Sequence, residues 1–161
     1  MSKKSIFVTI ESPKGSREKF DYDPKNNRFL LKKILPMGMF FPFDYGFIPG
    51  TRGEDGDPLD AFVLSDVKTF PGCVIECKLL GAIKAEQRER DGTVVRNDRY
   101  LFTPVVNGHK RNPFDGVGLE QDELKELVDF FVNYNEIDGK KFRFIAFVDA
   151  KEALRKINRI R

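Results

Sequence analysis

Three aspartates, Asp55, Asp57 and Asp60, fall within six residues at a Gly-Asp-Pro turn that leads into the apolar run Ala61 to Leu64. Gly56 lets the backbone bend and Pro58 fixes it, so the three carboxylates can converge on one point. Unit charges a few Å apart repel by roughly 1–4 kcal/mol in a watery to surface-like dielectric. Converging carboxylates therefore call for a cation or for solvent, and hard oxygen donors suit Mg²⁺ or Mn²⁺. The plain alternative is a solvated turn whose aspartates only cap nearby backbone. A calcium loop is excluded: counted from Asp55, the fifth position is Leu59 and the twelfth is Asp66, where that loop wants an oxygen ligand and a glutamate.

Such a turn has to be held by strands. Short strand-like runs fill the first two thirds of the chain: Ser5 to Glu11, Glu18 to Tyr22, Arg28 to Lys32, Ala61 to Ser65 and Val74 to Leu80. Turn chemistry bounds them, as in Ser12-Pro13-Lys14-Gly15, Asn26-Asn27 and Pro71-Gly72. Gly81 to Arg90 and Thr93 to Thr103 flank Asp91-Gly92, a two-residue hairpin signal. A two-residue turn there pairs Arg90 with Thr93, Glu86 with Asn97 and Lys84 with Arg99, so these last four side chains share a face. A slip by one residue would undo that arrangement. The final third is helical: Leu124, Leu127, Val128 and Phe131 keep helical spacing from about Gln121 to Tyr134. A strand, Lys141 to Val148, and a helix capped by Asp149, with Glu152 completing a capping box, close the chain. Many short strands with two late helices predict a β-barrel of α+β type in one domain, residues 1–161.

Composition narrows the function classes. With 40% hydrophobic residues and 16 Phe, the chain can bury a core, which excludes intrinsic disorder. The 28 basic against 25 acidic residues leave +3, well short of the basic surplus of a dedicated nucleic-acid binder. No apolar run is long enough to span a membrane. Lys3 and Lys4 resemble the start of a secretory leader, but Thr9 and Glu11 break the apolar stretch behind them. Cys73 and Cys77 share a strand face too far apart to bridge, and the lone His109 is remote. Two ordinary thiols point to a reducing cytoplasm.

Asp55-Gly56-Asp57-Pro58-Leu59-Asp60, preceded by Tyr45-Gly46-Phe47 and Met39-Phe40-Phe41-Pro42, resembles the signature of the soluble family I inorganic pyrophosphatases. The likeness runs from about Ile6 to Tyr134. It implies a five-stranded OB-like closed barrel with flanking C-terminal helices, Mg²⁺-dependent hydrolysis of pyrophosphate to two phosphates, and a homo-oligomer. It further implies that Asp55 and Asp60 bind metal, that Asp57 accepts the proton of the attacking water, and that Asp21 is an outer metal ligand. Lys19, Lys33, Tyr45, Arg99 and Tyr134 match phosphate-binding positions, and Glu11 matches a supporting acid behind the metals.

Several positions depart from the pattern. Lys33 stands where the family has Arg, which keeps the charge and loses the bidentate fork. Asn135 stands where a phosphate-binding Lys is expected. The family's Asp, four residues, Asp, one residue, Lys element is absent. Arg99 falls on its lysine, Asn97 replaces one aspartate, and the other falls near Glu86-Gln87. The hairpin arithmetic sets Glu86 beside Asn97, so Glu86 is expected to restore the lost carboxylate, with Asn97 contributing its amide oxygen. Two other readings stay open. One is an OB-like nucleic-acid module, suggested by Lys141-Phe142-Arg143-Phe144. The other is a metal-binding homologue with an altered phosphoanhydride substrate or no activity.

Overall fold

The computed structural model describes residues 5–109 and 121–160. Five strands close into a ring. They are β1 (Ile6–Ser12), β4 (Asp44–Phe47), β5 (Asp60–Val63), β8 (Arg99–Pro104) and β6 (Val74–Arg88), and β6 pairs back onto β1. All neighbours in the ring are antiparallel except β5 and β8, which run parallel with Asp60 opposite Arg99. Alternation drives the closure. Ile6, Val8 and Ile10 point inward from β1 and meet Ala61, Val63, Ile75, Cys77, Tyr100 and Phe102. Cys73 and Cys77 are both free thiols, and Cys77 belongs to this core.

The expected runs Val74 to Leu80 and Gly81 to Arg90 are one fifteen-residue strand, β6. Its first half closes the ring, and its second half leaves the barrel to carry β7 (Val94–Arg96) and β9 (Lys141–Asp149). Gly81 makes this change of partners possible: a Cβ there would lie 2.5 Å from both the Phe147 ring and the Val148 carbonyl oxygen. The short strand β4, not anticipated from the sequence, completes the ring. A separate ribbon, β2 (Glu18–Asp23) with β3 (Arg28–Ile34), leans on the barrel. Ser12 Oγ accepts from the Phe20 amide and donates to its carbonyl, fixing that ribbon to β1.

Helix α1 (Gln121–Ile137) and β9 cover a second core that is dense in aromatic rings. Phe41, Phe62, Phe130 and Phe131 stack and tilt against one another beneath Tyr45 and Tyr134. Helix α2 (Ala150–Ile160) seals one end of the barrel with Ala153 and Ile157. Asp149 caps it as expected, taking the Glu152 amide at 3.0 Å, while the Glu152 carboxylate goes to Lys84 rather than back to the cap.

The hairpin is not the one expected. Glu89 N–H donates to the Thr93 carbonyl and Gly92 N–H to that of Glu89, so the loop has three residues, with Gly92 at φ +89°. Glu86 therefore pairs with Arg96, and Ile83, not Lys84, stands opposite Arg99. The one-residue difference turns every side chain of this strand to the other face. The expected strand from Thr93 to Thr103 is also broken at Asn97 and Asp98, where Asp98 turns inward and accepts the Ala85 amide.

Candidate active site

The three aspartates of the acidic turn open onto a cleft of about 550 Å³ between the barrel mouth, the β2–β3 ribbon, the hairpin and the end of α1. The turn is built from local bonds. Asp55 Oδ1 accepts the Asp57 amide at 3.0 Å, and the Gly53 amide donates to the Asp57 carbonyl at 2.7 Å. Gly56 takes φ +90°, a backbone that only glycine adopts without strain. Beneath the turn, buried Thr51 donates to the Ile48 carbonyl and accepts the Leu59 amide. That hydroxyl anchors the segment between the turn and β5, and only the fold reveals it.

The cleft brings together Asp55, Asp57, Asp60, Asp21, Lys19, Lys33, Tyr45, Asn97, Arg99 and Tyr134. An adjoining lobe of about 440 Å³ adds Glu11. Glu86 is absent from both. It points away from the cleft and pairs with Arg143 at 3.0 Å on the outside of the sheet. In its place the three-residue loop turns Gln87 and Glu89 toward the cleft, where Gln87 donates to Glu89 at 2.8 Å. Counting the loop as three residues long would have found them.

Electrostatics divides the cleft. Burial pushes the Asp60 carboxyl up to about 6, against the opposing pull of Arg99 and a hydrogen bond from Tyr45. Burial likewise lifts Glu11 to about 8, although its Oε2 accepts the Tyr22 amide. Asp57 is raised by partial burial and by its neighbour Asp55. The hydroxyl of Tyr45, which the resemblance sets at phosphate, hydrogen-bonds Asp60 here.

Opposite stand the cations. Lys19 and Lys33 face each other across the β2–β3 pairing, an arrangement that is unfavourable without anions between or beside them. Asp21 takes Lys19 at 2.9 Å, and Asp138 takes Lys33 at 2.7 Å. Lys33 also lies 4.4 Å from the centre of the Tyr134 ring. The Arg99 side chain is 4% exposed, packed over Phe131 and Phe142, and 3.9 Å from Asp60. Asn135 does not reach out, because its amide donates back to the Phe131 carbonyl. The cation expected there comes instead from Lys140, beyond the end of α1, which lines the cleft and meets Glu89 at 3.2 Å.

The donor set on the acidic side is all oxygen, which fits a hard divalent cation. Among the described residues no three of His, Cys, Asp and Glu are gathered at metal-ligand spacing. The carboxylates here are held by Lys19, Arg99 and Tyr45, so cation binding has to exchange these partners.

Comparisons with known proteins all point the same way. The family model described as inorganic pyrophosphatase matches residues 8–161. A Streptomyces coelicolor inorganic pyrophosphatase is 37% identical over 153 residues, covering 94% of this chain and 91% of the relative. The crystal structure of the Thermus thermophilus inorganic pyrophosphatase superposes with TM-score 0.82 at 30% identity, over 96% of this chain and 87% of that one. A Coxiella burnetii inorganic pyrophosphatase gives TM-score 0.84 at 26% identity, over 97% and 92%.

Proposed function

The chain belongs to the inorganic pyrophosphatase family, whose members hydrolyse pyrophosphate to two phosphates in a metal-dependent reaction, and we propose that it does so with Mg²⁺. Asp55 and Asp60 would hold the activating metal, Asp21 would be an outer ligand, and Mn²⁺ would substitute. When bound, the metal screens the phosphate oxygens and lowers the pKa of water toward neutrality.

The remaining work falls to the chain. Asp57, raised by partial burial and by Asp55, is suited to hold the proton released from the attacking water. Arg99, buried over two rings, cannot drift and presents a fixed charge to the substrate. Lys19, Lys33 and Lys140 each exchange a carboxylate for a phosphate oxygen when pyrophosphate arrives. Tyr134 lies within reach of both Lys19 and Lys33, whose charges oppose the rise that burial gives its hydroxyl, and it donates to the same anion. Tyr45 and Glu11 support Asp60 from behind. Glu89 supplies the carboxylate that the hairpin brings to the cleft, and Asn97 its amide oxygen.

One observation carries this reading: three aspartates of a single turn and a caged arginine face each other across one cleft. Phosphate release from pyrophosphate, measured with and without Mg²⁺ beside Asp57→Asn, tests it. The expected result is rapid Mg²⁺-dependent release that falls roughly a hundred- to ten-thousand-fold in the variant. Release that is absent, or equal in the two proteins, rejects it. The two free thiols favour a reducing cytoplasm, and the family resemblance favours a homo-oligomer. No described helix is long and apolar enough to cross a membrane.

A further inference from the structure

The segment from Asn97 into β8 presents two sides. Asn97 and Arg99 line the cleft described above, while Asp98 and Tyr100 line another. On that second face a separate cleft of about 380 Å³ lies between β6, β8 and α2. Five cations converge on it: Lys84 and Arg96 from the sheet, and Arg155, Lys156 and Arg159 from α2. Two carboxylates oppose them. Glu152 takes Lys84 at 3.0 Å, and the buried Asp98 is shared by Arg96, at 2.7 Å, and Lys156. Arg155 and Arg159 stand one helical turn apart on the same face of α2, exposed to solvent.

A second observation is independent of that charge. Tyr100 lines the same cleft, its residue is fully buried, and its hydroxyl has no hydrogen-bond partner. A buried donor left without an acceptor is rare in a folded protein. Five cations face the cleft around it against two carboxylates that are already engaged, so what is missing is a further acceptor carrying negative charge.

We propose that this cleft is a second anion site, taking a tetrahedral oxyanion of the phosphate class on Arg155, Arg159 and the Tyr100 hydroxyl. The site stands apart from the acidic turn and needs no metal, because its charge is already positive. It is linked to the active cleft through Asp98. An anion here competes with Asp98 for Arg96 and Lys156, and Asp98 sits between Asn97 and Arg99, whose guanidinium donates to the Asn97 carbonyl. A smaller cavity of about 120 Å³ lies between the two, lined by Arg96, Asp98, Tyr100 and Lys156 of one and by Asp55 and Asn97 of the other.

The test uses inorganic phosphate and the full-length protein in EDTA, so that metal-dependent binding at the acidic turn is suppressed. Calorimetry should find phosphate binding in the native protein and in Lys19→Met/Lys33→Met, which removes two cations of the active cleft. Arg155→Glu/Arg159→Glu should weaken it at least tenfold, and Tyr100→Phe several-fold, with thermal melts confirming that both fold. Binding lost in the lysine variant and kept in the arginine variant overturns the proposal, as does no binding in EDTA. With Mg²⁺ present, phosphate should inhibit hydrolysis with a non-competitive component that vanishes in the arginine variant. Purely competitive inhibition in the native protein overturns the link through Asp98. None of the binding arms depends on turnover, so a failure of the pyrophosphatase reading would show separately.

Discussion

The two walls of the active cleft solve one problem in opposite ways. On the acidic wall, Asp55, Asp57 and Asp60 come from one six-residue turn, set by its own backbone bonds, a glycine at positive φ and a proline. On the hairpin wall, Gln87, Glu89, Asn97 and Arg99 come from two strands and are aimed by the length of a loop and a break at Asn97 and Asp98. The acidic wall holds negative charge in burial, and Asp57, Asp60 and the Glu11 behind them are raised as a result. The hairpin wall uses amides and a caged arginine, with its glutamate neutralised by Lys140. The contrast separates carboxylates set by their own backbone from amides and a cation set by long-range strand pairing.

Breaking the bond between the walls should have the largest effect on stability. Arg99→Ala leaves Asp60 without its cation and opens space between Phe131 and Phe142. At pH 8 without metal it should cost about 3 kcal/mol, read from denaturant midpoints, and Mg²⁺ should return part of the loss. An unchanged midpoint would mean that the two walls are not coupled.

The acidic wall alone predicts a pH dependence. Glu11 rises from its ordinary 4.5 to about 8 and Asp60 from 3.8 to about 6, both through burial. Between those values the folded protein binds more protons than the unfolded chain, so stability falls as pH rises from about 4 to 8. Thermal melts in EDTA should therefore drop between pH 5 and pH 8. Added Mg²⁺, held by the ionised carboxylates on the proposed reading, should flatten the trend. A flat profile in EDTA would remove burial as the feature that distinguishes this wall.

A smaller effect sharpens the hairpin side. Glu89→Gln should raise the Mg²⁺ concentration for half-maximal rate roughly tenfold. Glu86→Gln, which loses only an ion pair on the outside of the sheet, should change it by less than about twofold. The reverse order would restore the register in which Arg90 pairs with Thr93.

The same contrast explains what could be read from the chain. The Asp55 to Asp60 turn was legible because its geometry depends on residues inside it, and the barrel because many short strands bounded by turn chemistry precede two late helices. Lys19, Asp21 and Lys33 followed from motif register, and Arg99 from its place at the head of a strand. Glu86 was misplaced because Asp91-Gly92 fits both a two- and a three-residue loop, and the choice depends on the Glu89–Thr93 bond. Lys140 was invisible for a similar reason: it reaches the cleft only because α1 runs to Ile137 before the chain reverses at Gly139. Thr51 carries no motif at all, and its role exists only when Ile48 and Leu59 are brought together.

The parallel pairing of β5 with β8 has a consequence for how the protein comes into being. Asp60 and Arg99 meet only through that pairing, and the ring closes only when Ile6 finds Cys77. Parallel strands cannot be joined by a tight hairpin, so their contact waits for the segment between them to emerge and fold. A chain still leaving the ribosome thus carries its acidic turn without the opposing arginine, and the helix with Tyr134, followed by Lys140, arrives later still. Recovery of turnover after dilution from denaturant should therefore report the last docking event, not the first collapse.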